Sequence, residues 1–348
     1  MRVLTLNVGS SSLKWSRFQD DTFVDGGARE TLDEIATRAG AVDAVAHRVV
    51  HGGARFSAPA IVDDDTLRAL DEITALDPLH MRPAVAMIRA ARARFPRAEH
   101  VAVFDTAFHA TMPREATTYA VPRAWRDRGV RRYGFHGLSV AWSVERLATL
   151  APCPIARAIV LHLGSGSSAT AVRDGRSVDT TMGMTPLDGL IMATRAGSID
   201  PGAIVHLARN GVSLDEVDDG LTNASGLVAL AGDRDMRAIA ERAARGDEAA
   251  IFARAMVVHS IARNASALLA SLDGLDALVF TGGIGENDGD LRARVCDRLA
   301  FAGVALDAAT SGAPTAQDRI VSTGSSRAIV AIVHAREDLM LARAALRR

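Results

Sequence analysis

Two segments of this chain share one plan, and that plan narrows the folds open to it. Residues 2–8 alternate well enough for a strand, Gly9-Ser10-Ser11-Ser12 read as a turn, and 13–18 read as a second strand. At 158–173 the plan returns: an apolar run AIVLHL, a tip GSGSS and a second apolar run ATAV. Both tips are small, polar and rich in backbone N–H groups. A chain that opens on such a hairpin and repeats it near its middle points to an internal duplication of an α/β unit. The 348 residues suffice for two such domains, at ~150 residues each.

The remaining pattern fits that organisation. Residues 43–50, 99–104, 277–280, 318–322 and 328–333 read as strands. Helices are expected over 63–76, 81–95 (starting near Pro83), 139–150 (capped by Ser139), 288–300 and 336–347. Residues 186–272 read as mostly helical, most clearly over 247–272. No linker rich in Pro or Gly separates the halves, so the domains meet at a tight junction and a cleft lies between them.

Composition removes several classes of function. Apolar residues make up 48% of the chain, which excludes a disordered protein. With 40 basic and 41 acidic residues there is no excess charge for nucleic acid or an anionic membrane. Cys153 and Cys296 make neither a disulfide framework nor a metal cluster, and they suit a reducing compartment. The N-terminus lacks the pattern of a signal peptide, and no run approaches the ~20 apolar residues of a membrane span. The expectation is a cytoplasmic protein. Lys14 is the only lysine among the 40 basic residues, and a compact ammonium does what a planar guanidinium cannot.

Several short motifs carry chemistry. The tip Asn7-Val8-Gly9-Ser10-Ser11-Ser12 with Lys14 offers backbone N–H groups, hydroxyls and an ammonium to a phosphate. It is not a Walker A loop, because Lys14 lies inside a strand. Arg48 ends a strand just before Gly52-Gly53, and Asp105 follows the strand 99–104; such strand ends are where α/β proteins place ligands. His47 and His51 lie on a strand-to-loop segment and do not form a zinc pair. His136 sits between Gly134 and Gly137, and Arg195 is central to the loop-rich stretch 180–202. Thr281-Gly282-Gly283-Ile284-Gly285-Glu286-Asn287 joins a strand to a helix, which suits nucleotide contact, but it lacks the spacing of a dinucleotide fingerprint. Each motif alone also has an ordinary reading: a turn, a surface arginine, an N-cap, a structural histidine.

Taken together these residues resemble the acetate kinase family of short-chain carboxylate kinases. The matching stretches run in family order from residue 7 to residue 343: NVGSSSLKW, HRVVHGG, VAVFDTAFHATMP, RRYGFHGLS, HLGSGSS, TTMGMTPLDGL, TRAGSIDPG, VFTGGIGEN and REDLMLAR. The resemblance implies the duplicated two-domain α/β fold shared with actin, hexokinase and Hsp70, closing over a nucleotide in an interdomain cleft. It implies an N-terminal lobe of residues 1–107 with 338–348, and a C-terminal lobe of 108–337 for nucleotide binding and dimerisation. The implied reaction is ATP + acetate ⇌ ADP + acetyl phosphate, with Mg²⁺ or Mn²⁺, in a homodimer. By the same resemblance Arg48, Asp105, Arg195 and His136 are catalytic, and Asn7 and Glu337 lie around the metal. Val50, Leu79, Phe135 and Pro186 form the pocket for the acetate methyl. For the nucleotide, Ser10, Ser12 and Lys14 match the phosphate-side hairpin, Gly283 and Gly285 with Asp235 and Arg237 match the adenosine side, and His162, Gly164, Ser165, Gly166, Ile284 and Asn287 are further binding residues.

Four places depart from the family's usual pattern. Ser165 stands for a usual Asn, Ala193 for a Gly, Arg336 for an Asn, and residues 231–234 lack the usual serine turn; the chain is also short between 20 and 43. These changes lie on the nucleotide side or beside the metal residue, so a different phosphoryl donor (GTP, pyrophosphate or polyphosphate) is an alternative. A propionate or other short-chain carboxylate kinase is another. A non-catalytic ATP-binding regulator of the same fold would not need Arg48, Arg195 and Asp105. A butyrate-type kinase would need a roomier pocket.

Overall fold

The computed structural model describes residues 1–9, 13–313 and 315–347. Strands β1 (Arg2–Val8), β2 (Leu13–Gln19), β3 (Thr22–Ala28), β4 (Ala44–Val49), β5 (Ala60–Ile61) and β6 (Glu99–Phe104) form one sheet, in the order β3-β2-β1-β4-β6-β5. Strands β7 (Arg157–Leu163), β8 (Ser167–Arg173), β9 (Arg176–Thr180), β10 (Ala277–Thr281), β11 (Arg319–Ile320) and β12 (Ile329–Ile332) form the other, in the order β9-β8-β7-β10-β12-β11. The two orders correspond strand for strand. So do the directions: an antiparallel three-stranded ribbon, two strands added in parallel, and a short antiparallel edge. A register irregularity recurs too, at Arg17/Phe18 in β2 and at Ala171/Val172 in β8. The repeated hairpin is thus the visible part of a duplicated two-domain α/β fold.

Each sheet is buried on both faces, because successive strand residues point opposite ways. Val3, Ala44, Ala46, Val101 and Val103 pack against Leu339, Leu341, Ala342 and Ala345 of the helix Glu337–Leu346. Leu4, Leu6, Trp15 and Val45 face the other way, onto Ile35, Ala36, Ala91 and Phe95. In the second sheet Ile159, Leu161, Leu278 and Phe280 meet Val257, Ile261, Ala265 and Leu268 of the helix Glu248–Leu272. That helix has the length and composition to cross a membrane, but its apolar face packs on the sheet. The opposite face receives Val140 and Leu147 of the helix Gly137–Leu150. Leu138 of the same helix joins the core of the first sheet, so this one helix bridges both sheets.

Several local expectations are corrected. The helix expected to be capped by Ser139 starts earlier: His136 is its N-cap, in the left-handed region at φ 60°, and Ser139 lies inside the first turn. The reason is Gly137, whose N–H donates to the Asp105 carbonyl at 2.9 Å. A Cβ at residue 137 would stand 2.1 Å from that oxygen, so only glycine admits the approach. The helix expected from 81 begins at Pro78, capped by Asp77, and Pro83 lies within it. Residues 186–200 are irregular instead of helical, and helix resumes at Pro201. Conversely, Gly282–Asn287, expected as loop, is a short helix. The helix Leu32–Ala39 and strands β3 and β9 escaped the sequence reading, although Thr31 and Glu34 form a capping box.

Candidate active site

Parallel strands β1, β4 and β6 end along one edge of the first sheet, and β7, β10 and β12 along the matching edge of the second. Residues beyond the carboxyl ends of parallel strands line crevices open to ligands. Asn7, Arg48 and Asp105 stand at the first edge, and His162, Gly282 and Glu337 at the second. A hydrogen bond joins the two groups: Asn7 Nδ2 donates to Glu337 Oε2 at 3.3 Å.

Arg48 is the centre of this network. Its Nε donates to both oxygens of Asp105 at 3.1 Å, its second amino group also reaches Asp105, and NH1 donates to Asn7 Oδ1 at 3.1 Å. Glu337 Oε2 lies 3.9 Å from Arg48 Nε. Asp105 is 1% exposed; burial pushes its carboxyl upward, and the guanidinium opposes that shift. For Glu337 burial also acts upward and is the largest single influence, but Arg48, His162, Lys14 and the Asn7 hydrogen bond together hold the carboxyl below its ordinary value. Arg48 itself is held in its charged form: burial would lower it, and Asp105 and Glu337 together raise it. Lys14 lies directly across the ladder from Asn7 and adds positive potential at Glu337. Ser10 and Ser12 lie outside the described residues.

Arg195 is built differently. It is partly buried on the irregular stretch after Met192, and its NH1 donates to the Pro186 carbonyl at 3.3 Å and to the Met192 sulfur at 3.8 Å. Among the described residues no carboxylate comes within ion-pair distance of it. Burial lowers its pKa, while the charge of Asp77 acts to raise it. Both arginines act electrostatically on His136, whose imidazole stacks on that of His162 with ring centroids 4.1 Å apart. His136 Nδ1 lies 3.0 Å from Ser168 Oγ, and His162 Nδ1 lies 2.8 Å from Ser139 Oγ. Burial, His162 and both arginines push His136 well below its ordinary value, so the ring is neutral at pH 7. A Cβ at Gly166 would come within 3.2 Å of His136 Nε2 and 3.7 Å of Arg195 NH1, which puts Gly166 against both.

Val50 and Phe135 meet in a buried apolar cluster whose other members, Met182 and Met192, the sequence did not single out. Pro186 is buried nearby, its carbonyl on Arg195. Leu79 is not part of that cluster; it is 50% exposed on the first turn of the helix Pro78–Arg94. The cap of that helix, Asp77, was also missed. It holds His80 Nδ1 at 3.0 Å from both carboxylate oxygens and acts electrostatically on Arg195 and His51. Its one signal in the sequence is a helix-capping Asp followed by Pro. His47 and His51 point apart, one against His100 and the other to the Met184 carbonyl.

The residues expected on the adenosine side, with Gly164, lie around the second sheet. Gly164, Ala193, Met236 and Ile284 line one small hollow. Gly282, at φ +79°, turns the chain from β10 into its short helix, and its N–H donates to Glu286 Oε1, which also accepts from Ala335 N. Among the described residues, nothing beyond its own stretch of helix lies within 4 Å of a Cβ built on Gly283, and Asn287 Nδ2 donates to the Gly283 carbonyl; Gly285 is buried. Asp235 caps the helix Met236–Ala244 and pairs with the exposed Arg237 at 2.9 Å. The backbone of Ser165 accepts from Ala193 N, and Arg336 pairs with Asp338. Two of the four departures therefore contact each other, and a third bonds within its own helix.

The model of the acetokinase family matches residues 27–343. An acetate kinase of Leifsonia xyli subsp. xyli is 48% identical over 309 residues, 88% of this chain and 78% of that protein. One from Streptomyces avermitilis is 40% identical over 98% of this chain and 96% of its own. Among solved structures, a propionate kinase from Francisella tularensis subsp. tularensis SCHU S4 superposes with a TM-score of 0.92 at 34% identity, covering 99% of this chain and 98% of that one. The acetate kinase of Porphyromonas gingivalis gives 0.90 at 29% identity, with 99% of both chains covered. A family match over nearly the whole length, with the motif residues gathered along two facing strand edges, leads to one conclusion: this chain belongs to the acetokinase family.

Proposed function

We propose that the chain transfers the γ-phosphoryl group of ATP to acetate, reversibly, giving ADP and acetyl phosphate. One observation carries this reading: two guanidinium groups act on a neutral imidazole, one saturated by Asp105 and the other without a carboxylate partner among the described residues. Acetate is ionised at neutral pH, so no strong base is needed. The obstacle is repulsion between two anions. Arg195 brings uncompensated charge to it, and Asp105 fixes the Arg48 fork in one orientation. His136 stays uncharged and donates or accepts a hydrogen bond at Nε2 beside Gly166. The cluster of Val50, Phe135, Met182 and Met192 receives the methyl group.

The oxygen donors at this edge suit Mg²⁺. Among the described residues no group of three or more His, Cys, Asp or Glu side chains gathers to hold a metal alone. Mg²⁺ is usually bound by one or two carboxylates together with substrate phosphates. Asn7, Glu337 and Asp105 would hold it, and when bound it neutralises phosphate charge. We further propose a homodimer; exposed Val205, Leu207, Ile251 and Phe252 of the second domain are apolar surface available to it.

The test is a hydroxamate assay of the purified protein with acetate, propionate and butyrate, each against ATP, GTP and pyrophosphate. Acetate with ATP should give the highest kcat/KM. Propionate should fall roughly 10–200-fold, the discrimination one methylene supplies in an apolar pocket. Preference for propionate, or for pyrophosphate over ATP, would overturn the reading of the corresponding pocket. Light scattering of the same sample decides the oligomeric state.

A further inference from the structure

A second hollow lies behind the catalytic edge and takes no part in phosphoryl transfer. Its volume is about 500 Å³, within the ~300–1,000 Å³ of small-molecule sites. Phe104 and Phe108 line it from the end of β6 and the turn beyond, Leu138 and Ala141 from the helix Gly137–Leu150, and Met340 and Ala344 from the helix Glu337–Leu346. The lining contains no acidic side chain, and its charged members are Arg343 and Arg347. Arg343 is already held by Asp21 and Glu145. Arg347 is exposed, so it stands at the solvent edge, and among the described residues it has no carboxylate partner.

An apolar hollow that ends on an uncompensated cation is complementary to a molecule with an apolar tail and one anionic head. We propose that it binds a medium-chain alkyl carboxylate, with the tail between the aromatic rings and Met340 and the head group on Arg347. Each methylene buried there strengthens binding roughly fourfold, so affinity rises with chain length until the hollow is filled. The site also touches the catalytic elements from behind. Phe104 precedes Asp105, Gly137 N donates to the Asp105 carbonyl at 2.9 Å, and Met340 lies one turn from Glu337. Occupancy of the hollow leaves the acetate pocket free.

The probe is decanoate below its micellar concentration, titrated calorimetrically into the whole protein with acetate and ADP at saturation. One decanoate should bind per chain, and decyltrimethylammonium, with the opposite head charge, at least tenfold more weakly. Ala141→Trp, which fills the hollow, and Arg347→Glu, which reverses the charge at its edge, should each weaken decanoate binding at least tenfold. Turnover of acetate without decanoate should stay within twofold of wild type in both. Should Ala141→Trp fail to fold, Arg347→Glu at the exposed edge carries the test alone. Equal binding of the cationic amphiphile, or wild-type affinity in a folded variant, would overturn the proposal. So would displacement of decanoate by acetate, which would put it in the acceptor pocket and leave the phosphoryl-transfer reading untouched.

Discussion

Arg48 and Arg195 are the same side chain in two electrostatic settings, and their replacement should separate two effects. Removing Arg48 leaves Asp105, 1% exposed, without its counter-ion. Breaking a buried pair this way costs about 3–5 kcal/mol, so Arg48→Ala should lose both turnover and stability. Arg195 has no carboxylate partner among the described residues, so Arg195→Ala should lose turnover while its urea midpoint stays near wild type. A well-placed arginine contributes roughly 10³–10⁵ to the rate of phosphoryl transfer, and both variants should fall at least that lower amount in kcat. Near-normal activity of either would remove the role assigned to it. Lys14 makes a finer case. Its charge acts on Glu337 from across the ladder, so Lys14→Arg should retain more activity than Lys14→Ala; equal loss would mean that the charge is not what matters.

At the scale of elements, neighbouring parallel strands β4 and β6 bring His47 and His100 together in the core, Nε2 to Nδ1 at 3.0 Å. Burial, aided by His100, lowers His47 to about 3. The unfolded chain takes up this proton below its ordinary pKa of ~6.5, and the folded chain does so only near the lowered value. Acid therefore favours unfolding across that window, by ~1.4 kcal/mol per pH unit for each such proton. His47→Gln should make the fall in stability between pH 6 and pH 4 shallower by about one proton, read from urea midpoints. An unchanged slope would mean that His47 is protonated in the folded state. The junction between β6 and the helix Gly137–Leu150 supplies a second test. Gly137→Ala forces a Cβ against the Asp105 carbonyl; overpacking costs about 1–3 kcal/mol, and here it also displaces Asp105, so kcat should fall with stability.

Across the whole molecule, the last helix ties the end of the chain back to its beginning. Leu341 is fully buried against the first sheet, while Glu337, at the start of the same helix, faces Asn7 and Arg48. Leu341→Ala should cost about 2–5 kcal/mol and also raise the Mg²⁺ requirement, because the helix that positions Glu337 loosens. The metal reading has its own signature. If phosphate oxygens supply most of the ligands, Mg²⁺ alone should leave Tm unchanged and Mg²⁺ with ATP should raise it; a large shift with Mg²⁺ alone would point to a preformed protein site.

The repeat, and the positions of most of the proposed site residues, are legible in the amino-acid order alone. Strand pairing follows from local alternation and from Gly/Ser tips, which is why both hairpins and the parallel strands were legible. Arg48 and Asp105 were legible too, because each sits where a buried strand stops. The polar third strands were not: β3 carries Asp25, Gly26 and Gly27 in its interior and pairs only because β2 is already in place. What tertiary structure alone decided is which charges are compensated. Asp105 and Glu337 are separated by 232 positions in the sequence, yet both lie beside Arg48, and among the described residues no carboxylate pairs with Arg195. The same holds for the cap at His136, set by the Asp105 carbonyl, and for the entry of Met182 and Met192 into the apolar cluster. Electrostatic and packing energies depend on distance in space, and a linear pattern does not carry that distance.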